Sequence, residues 1–169
     1  FDGAASGLFV SGSSGAWSTA GAVYRSSGLA THQVFWQPLT GTPLHVADGS
    51  TVAARVVVSG RVRLGGKLYV TGAGNSLELF TPGSLDARGA TVTLRDTSDL
   101  VLSSATAYLH DAGSFVVYEG SGTDRGLSLS TGPFGHVVLA PADPAASFRF
   151  RSLFLDRALT VASGTLRLF

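Results

Sequence analysis

Carboxylates are the side chains here with the most chemical reach. Asp96 and Asp99 share one Asp-Thr-Ser-Asp turn, Asp86 lies upstream, and Asp111, Glu119 and Asp124 follow. Two carboxyl groups brought together from neighbouring strands are what glycoside hydrolysis requires. Oxygens from Asp86, Asp96 and Asp99 would also suit calcium. The same residues are at home in solvated turns, where Asp and Ser bond their own backbone. The turn reading prevails, because the chain has no adjacent Asp-Asp pair and lacks the Gly-Gly-x-Gly-x-Asp calcium repeat. The expectation is therefore no catalytic residue, no metal site and no cofactor.

The four histidines, His32, His45, His110 and His136, are scattered, with no pair two or four residues apart. No Gly-x-Ser-x-Gly elbow is present to seat a nucleophile. Gly65-Gly66 and the Thr71-Gly72-Ala73-Gly74 run lack the following helix that a phosphate cradle needs, so they read as corners. The aromatic group Trp17, Tyr24, Phe35 and Trp36 is the best binding candidate, since aromatic faces stack on sugar rings. Trp17, Tyr24 and Trp36 are accordingly the expected ligand-binding residues. The competing reading is a hydrophobic cap or core over the first coil. Near the C-terminus, Arg149 and Arg151 share an outward face. They either contact an anionic glycan or keep a Ser/Thr-rich surface soluble and blunt strand pairing.

The elements that must position these residues are short strands. Leu77-Glu78-Leu79, Leu127-Ser128-Leu129, Phe148-Arg149-Phe150, Leu159-Thr160-Val161 and Leu166-Arg167-Leu168 alternate apolar and polar residues. A period of two sends alternate side chains to opposite faces of a strand, which assigns Leu129 and Val161 to the interior and Ser128 to the surface. The pattern predicts strands at 7–11, 22–25, 33–36, 44–46, 51–58, 61–64, 67–71, 76–80, 90–95 and 99–102. Further strands are predicted at 107–109, 114–118, 126–130, 135–140, 147–151, 153–156, 158–162 and 164–169. Segments this short, with hairpin-type dipeptides such as Asp48-Gly49 scarce, favour an all-β parallel β-solenoid over the alternative, an antiparallel sandwich or jelly roll. The expected organisation is an aromatic-containing cap or first coils over 1–50 and regular coils over 51–169, as one continuous domain.

Composition agrees with a β-protein. Charged residues make up 14%, against roughly 25% in ordinary soluble domains, so Ser, Thr and Gly must cover the surface. A net charge of +1 predicts no nucleic-acid partner. The absence of cysteine excludes disulfides and thiolate metal sites. No apolar run reaches 18 residues, so no helix of this chain crosses a membrane. A chain without Met that begins at Phe1 reads as a processed or excised piece.

Three segments carry a resemblance. They are Gly-Ser-Phe-Val-Val-Tyr-Glu-Gly-Ser-Gly-Thr over 113–123, Gly-Pro-Phe-Gly-His-Val-Val-Leu over 132–139, and Ala-Leu-Thr-Val-Ala-Ser-Gly-Thr-Leu over 158–166. Together they resemble the repeat of bacterial surface and secreted proteins built on right-handed parallel β-helices, of the adhesin or autotransporter-passenger type. His136 stands where that repeat often carries Asn, which departs from an internal Asn ladder. The resemblance implies a secreted or cell-surface structural or adhesive segment, without enzymatic activity. Its implied partners are glycans, or itself and neighbouring domains stacked through terminal strands into filaments. The alternatives are a carbohydrate-active β-helix enzyme, lyase or hydrolase, and a glycan-binding module.

Overall fold

Valine, leucine and threonine alternating with polar residues suit strands whose two faces meet different surroundings. In a computed structural model, each such strand lies parallel to the one a full winding later. The structure describes residues 7–10, 17–18, 23–25, 33–36, 43–123, 125–127, 133–150 and 153–168. Of these, 7–10, 17–18, 23–25, 33–34, Ala105 and Leu168 are described by backbone alone.

The chain forms a parallel β-solenoid of about five turns. The first turn contains β1 (Gly7–Val10), β2 (Trp17–Ser18) and β3 (Val23–Arg25), and the second β4 (Gln33–Trp36), β5 (Leu44–Val46) and β6 (Ser50–Ala53). The third contains β7 (Arg55–Val58), β8 (Arg61–Leu64) and β9 (Lys67–Val70), and the fourth β10 (Ser76–Leu79), β11 (Ser84–Asp86) and β12 (Thr91–Leu94). The fifth has β13 (Asp99–Leu102), a 3-10 turn at Ala105–Ala107, β14 (Tyr108–Leu109) and β15 (Phe115–Tyr118). A closing section follows with β16 (Arg125–Gly126), β17 (Pro133–Leu139), β18 (Ser147–Phe150), β19 (Phe154–Val161) and β20 (Thr165–Leu168).

Equivalent strands stack into faces. The first face is β1-β4-β7-β10-β13 and the second β2-β5-β8-β11-β14. The third is β3-β6-β9-β12-β15-β17-β19, and a fourth sheet holds β16-β18-β20. Every pairing among the described strands is parallel, which rules out the sandwich. Val34, Val56, Leu77 and Leu100 stand in register, and so do Trp36, Val58, Leu79 and Leu102. The described members of these columns are buried together with Leu68, Val92, Val116 and Val137 from the third face, so one core runs along the axis. Strands on either side of residue 50 belong to the same sheets.

Several segments differ from the pattern read in the sequence. The predicted strand at 51–58 is two strands, because the chain turns a corner at the fully buried Ala54. The two predicted at 153–156 and 158–162 are one, β19. It pairs with β17, whose His136–Leu139 segment continues the third face. The Phe134 ring of β17 packs on Tyr108 of the second face, centroids 5.2 Å apart. Each of these long strands thus spans ground that two strands cover lower in the coil. Gly135 permits the passage, since a Cβ there would sit 2.8 Å from the carbonyl oxygens of Asp111 and Ser114. Val161, expected inside, is 44% exposed, because among the described strands none pairs with the outer edge of β19. Ser128 and Leu129 lie outside the described residues, as does most of the predicted strand at 126–130. Two strands went unpredicted, β2 and β11, both on the second face. No described helix is long and apolar enough to cross a membrane.

Candidate functional site

The carboxylates serve the corners and ladders of the coil. Asp111 Oδ1 accepts from the amides of Gly89 (2.9 Å) and Gly113 (2.8 Å) and from the Ser114 hydroxyl (3.0 Å). Gly89 belongs to the turn before, so the carboxylate staples one winding to the next. Those three bonds hold the Asp111 carboxyl below its ordinary range. Asp96 likewise ties one winding to the next at another corner, accepting from Gly72 N at 2.7 Å, with Thr97 Oγ1 accepting from Gly74 N at 2.9 Å. Asp48 accepts from Lys67 N at 2.6 Å. The fit there is close, and a Cβ on Gly66 would run into the Asp48 carboxylate.

Other acids sit in ion pairs. Arg55 clasps Glu78 through two hydrogen bonds of 2.7 and 2.6 Å, and Ser76 Oγ donates to the same carboxylate at 2.6 Å. The Arg55 hydrogen bond lowers the Glu78 pKa and outweighs the burial that opposes it. Glu119 takes a bond of 2.8 Å from Arg95, whose guanidinium also stacks over Tyr69. Asp99 Oδ1 accepts from Leu100 N at 2.8 Å and from the Tyr118 hydroxyl at 3.3 Å. The turn reading of Asp96 and Asp99 therefore has a physical basis, Asp111 serves a corner in the same manner, and Asp86 and Glu119 sit in ion pairs. Asp124 lies outside the described residues.

The aromatic candidates separate. Trp36 is completely buried, inward on the first face, so it offers no ring to a sugar. That corrects its expected role in binding: register with Val58 places it in the core column. The side chains of Trp17 and Tyr24 lie outside the described residues; their backbones are in register with Leu44 and Val52. His136 is outward and half-buried, stacked on Phe115 at 4.7 Å, so it is no substitute for an interior Asn. Arg149 and Arg167 stand in register on the fourth sheet, both exposed, while Arg151 lies outside the described residues.

The second face carries a cleft that the sequence reading did not single out. Its outer surface is built from short strands, and alternation along β8 turns Arg61 and Arg63 outward while Val62 and Leu64 are buried. His45, Arg63, Asp86 and Leu109 form one in-register row across four turns, and Arg61 stands beside Ser84. A hollow of about 450 Å³ lies over Arg63, Asp86 and Leu109 of this row and over Arg61 beside it. A second, of about 380 Å³, adjoins it through Arg88 and Leu109 and reaches His110 and Asp156. Arg88 makes a two-point pair with Asp86, 2.8 and 2.6 Å, which lowers the Asp86 pKa. His110 Nε2 lies 3.4 Å from Asp156 Oδ2. Among the described residues, Arg61 and Arg63 make no ion pair and no side-chain hydrogen bond. The signal that would have found them is the strict alternation of Arg61-Val62-Arg63-Leu64.

No protein-family model, curated protein or solved structure matches the chain.

Proposed function

We propose that this chain is a structural and adhesive segment of a secreted or cell-surface protein, a stiff coil that presents its outer faces to other molecules. One observation carries the reading most directly. The nine described carboxylates are each engaged by the fold, in a corner, a turn or an ion pair. Most of these acids tie one winding to the next, and Asp86 and Asp143 bond within their own turn. The likeness of residues 113–166 to the repeats of bacterial surface β-helices supports the same reading. So does a surface in which Ser, Thr and Gly largely replace charge.

A panel of neutral and acidic polysaccharides incubated with the protein tests this. A scaffold leaves every polymer at its starting length. Release of reducing ends, or of unsaturated uronides absorbing in the ultraviolet, would replace the scaffold with a carbohydrate-active enzyme.

A further inference from the structure

We propose that the cleft on the second face binds an anionic polysaccharide, with Arg61 and Arg63 as the groups that take its carboxylates or sulfates. The site extends the adhesive reading, and it stands or falls on its own residues. Arg61 and Arg63 are exposed, two residues apart on one strand and project to the same side. An arginine already paired has little left to offer a ligand, and Arg88 is in that position through Asp86. Among the described residues no hydrogen bond occupies the planar, five-donor forks of Arg61 and Arg63, although Arg63 stands in the field of Asp86 beside it, and that fork geometry suits an oxyanion.

The rest of the cleft favours a sugar as the bearer of that charge. Leu109, 43% exposed, supplies an apolar patch beside the arginines for the CH face of a ring. Asp86 in the first hollow and Asp156 in the second place acceptors along the cleft, where hydroxyl groups can donate to them. A polyol carrying spaced anions finds open donors for its charges in Arg61 and Arg63 and acceptors for its hydroxyl groups in the two carboxylates. Successive strands of the face are about 4.8 Å apart, so the row Arg63, Asp86 and Leu109 offers an extended chain a repeating series of contacts. The two hollows join end to end through Arg88 and Leu109, which suits a linear polymer better than a single small molecule.

Calorimetric titration with dextran sulfate, polygalacturonate and neutral dextran tests the assignment, with an Arg61→Ala/Arg63→Ala double variant alongside the unmodified protein. We expect at least one of the two polyanions to bind, neutral dextran to give no heat, and added salt to weaken the complex. Binding of dextran sulfate alone assigns sulfate esters, and binding of polygalacturonate alone assigns uronates. The double variant should bind about tenfold more weakly or worse, with an unchanged melting temperature. Failure of both polyanions to bind would overturn the proposal, as would equal binding by the double variant. A single-stranded oligonucleotide bound as tightly through the same two arginines would also overturn it. None of these results touches the scaffold reading, which falls only if a polymer is cleaved.

Discussion

Hydrogen bonds from the Gly89 and Gly113 amides and the Ser114 hydroxyl favour the charged form of Asp111, as Arg55 does for Glu78 and Arg88 for Asp86. All three pKa values are depressed in the folded chain. The stability they contribute is complete above the unfolded carboxylate range, about pH 4, and is lost as pH falls through the folded values. Melting temperature should therefore stay level from neutrality to mildly acid solution and drop below about pH 4. An Asp111→Asn variant should melt lower than the parent near neutrality, and the gap should narrow in acid. A gap that is constant across pH would show that the charge is not what holds the corner. Tyr108 makes the opposite case. Its hydroxyl is buried with no hydrogen-bond partner among the described residues, and burial pushes its pKa far up. Tyr108→Phe should raise stability by about 1 kcal/mol in denaturant unfolding, because it removes a desolvated group that gains nothing. A loss of stability would reveal a partner for that hydroxyl.

At the scale of the strand, position in the stack decides what a leucine or valine is worth. Leu77 is fully buried, flanked in register by Val56 and Leu100. Leu77→Ala should cost about 2–5 kcal/mol. Val161 sits on the last strand of its sheet and is 44% exposed. Val161→Ala should stay within about 0.5 kcal/mol of the parent. Equal losses at the two positions would remove the distinction between inner and outer columns. Corners obey a different rule, closeness of backbone to side chain, and Gly66→Ala should destabilise by forcing the Asp48 carboxylate away from Lys67 N. Much of this was legible beforehand. Alternation marked β8, β9, β10 and β13 almost to the residue, since both of their faces are set by burial. The strand that carries Asp86 was not legible: β11 is three residues long and too short to show a period. Without it the second face lacked the strand that brings Asp86 beside Arg63, and so the cleft was not seen. At the other end, Leu159-Thr160-Val161 keeps a period of two on β19, where no described strand covers the outer edge. Alternation alone cannot tell a covered strand from an edge.

The whole molecule rests on one arrangement. Windings of 21 to 24 residues place Lys67, Thr91, Phe115 and His136 in a single row along the third face, each on the next turn. A coil of this kind has nearest-neighbour contacts, so its stiffness comes from every turn resting on the last. Register decides which of the candidate side chains face solvent. Trp36 goes into the core because its register with Val58 demands it, while Arg61 and Arg63 of β8 are left facing solvent. The chain has no cysteine, which makes the row directly testable. Neighbouring parallel strands lie about 4.8 Å apart, within the Cα separation a disulfide spans. Mild oxidation of a Lys67→Cys/Thr91→Cys variant should therefore give a quantitative intramolecular disulfide, and a Lys67→Cys/His136→Cys variant should give none. Cross-linking of the distant pair, or failure of the adjacent one, would contradict the stacked parallel coil.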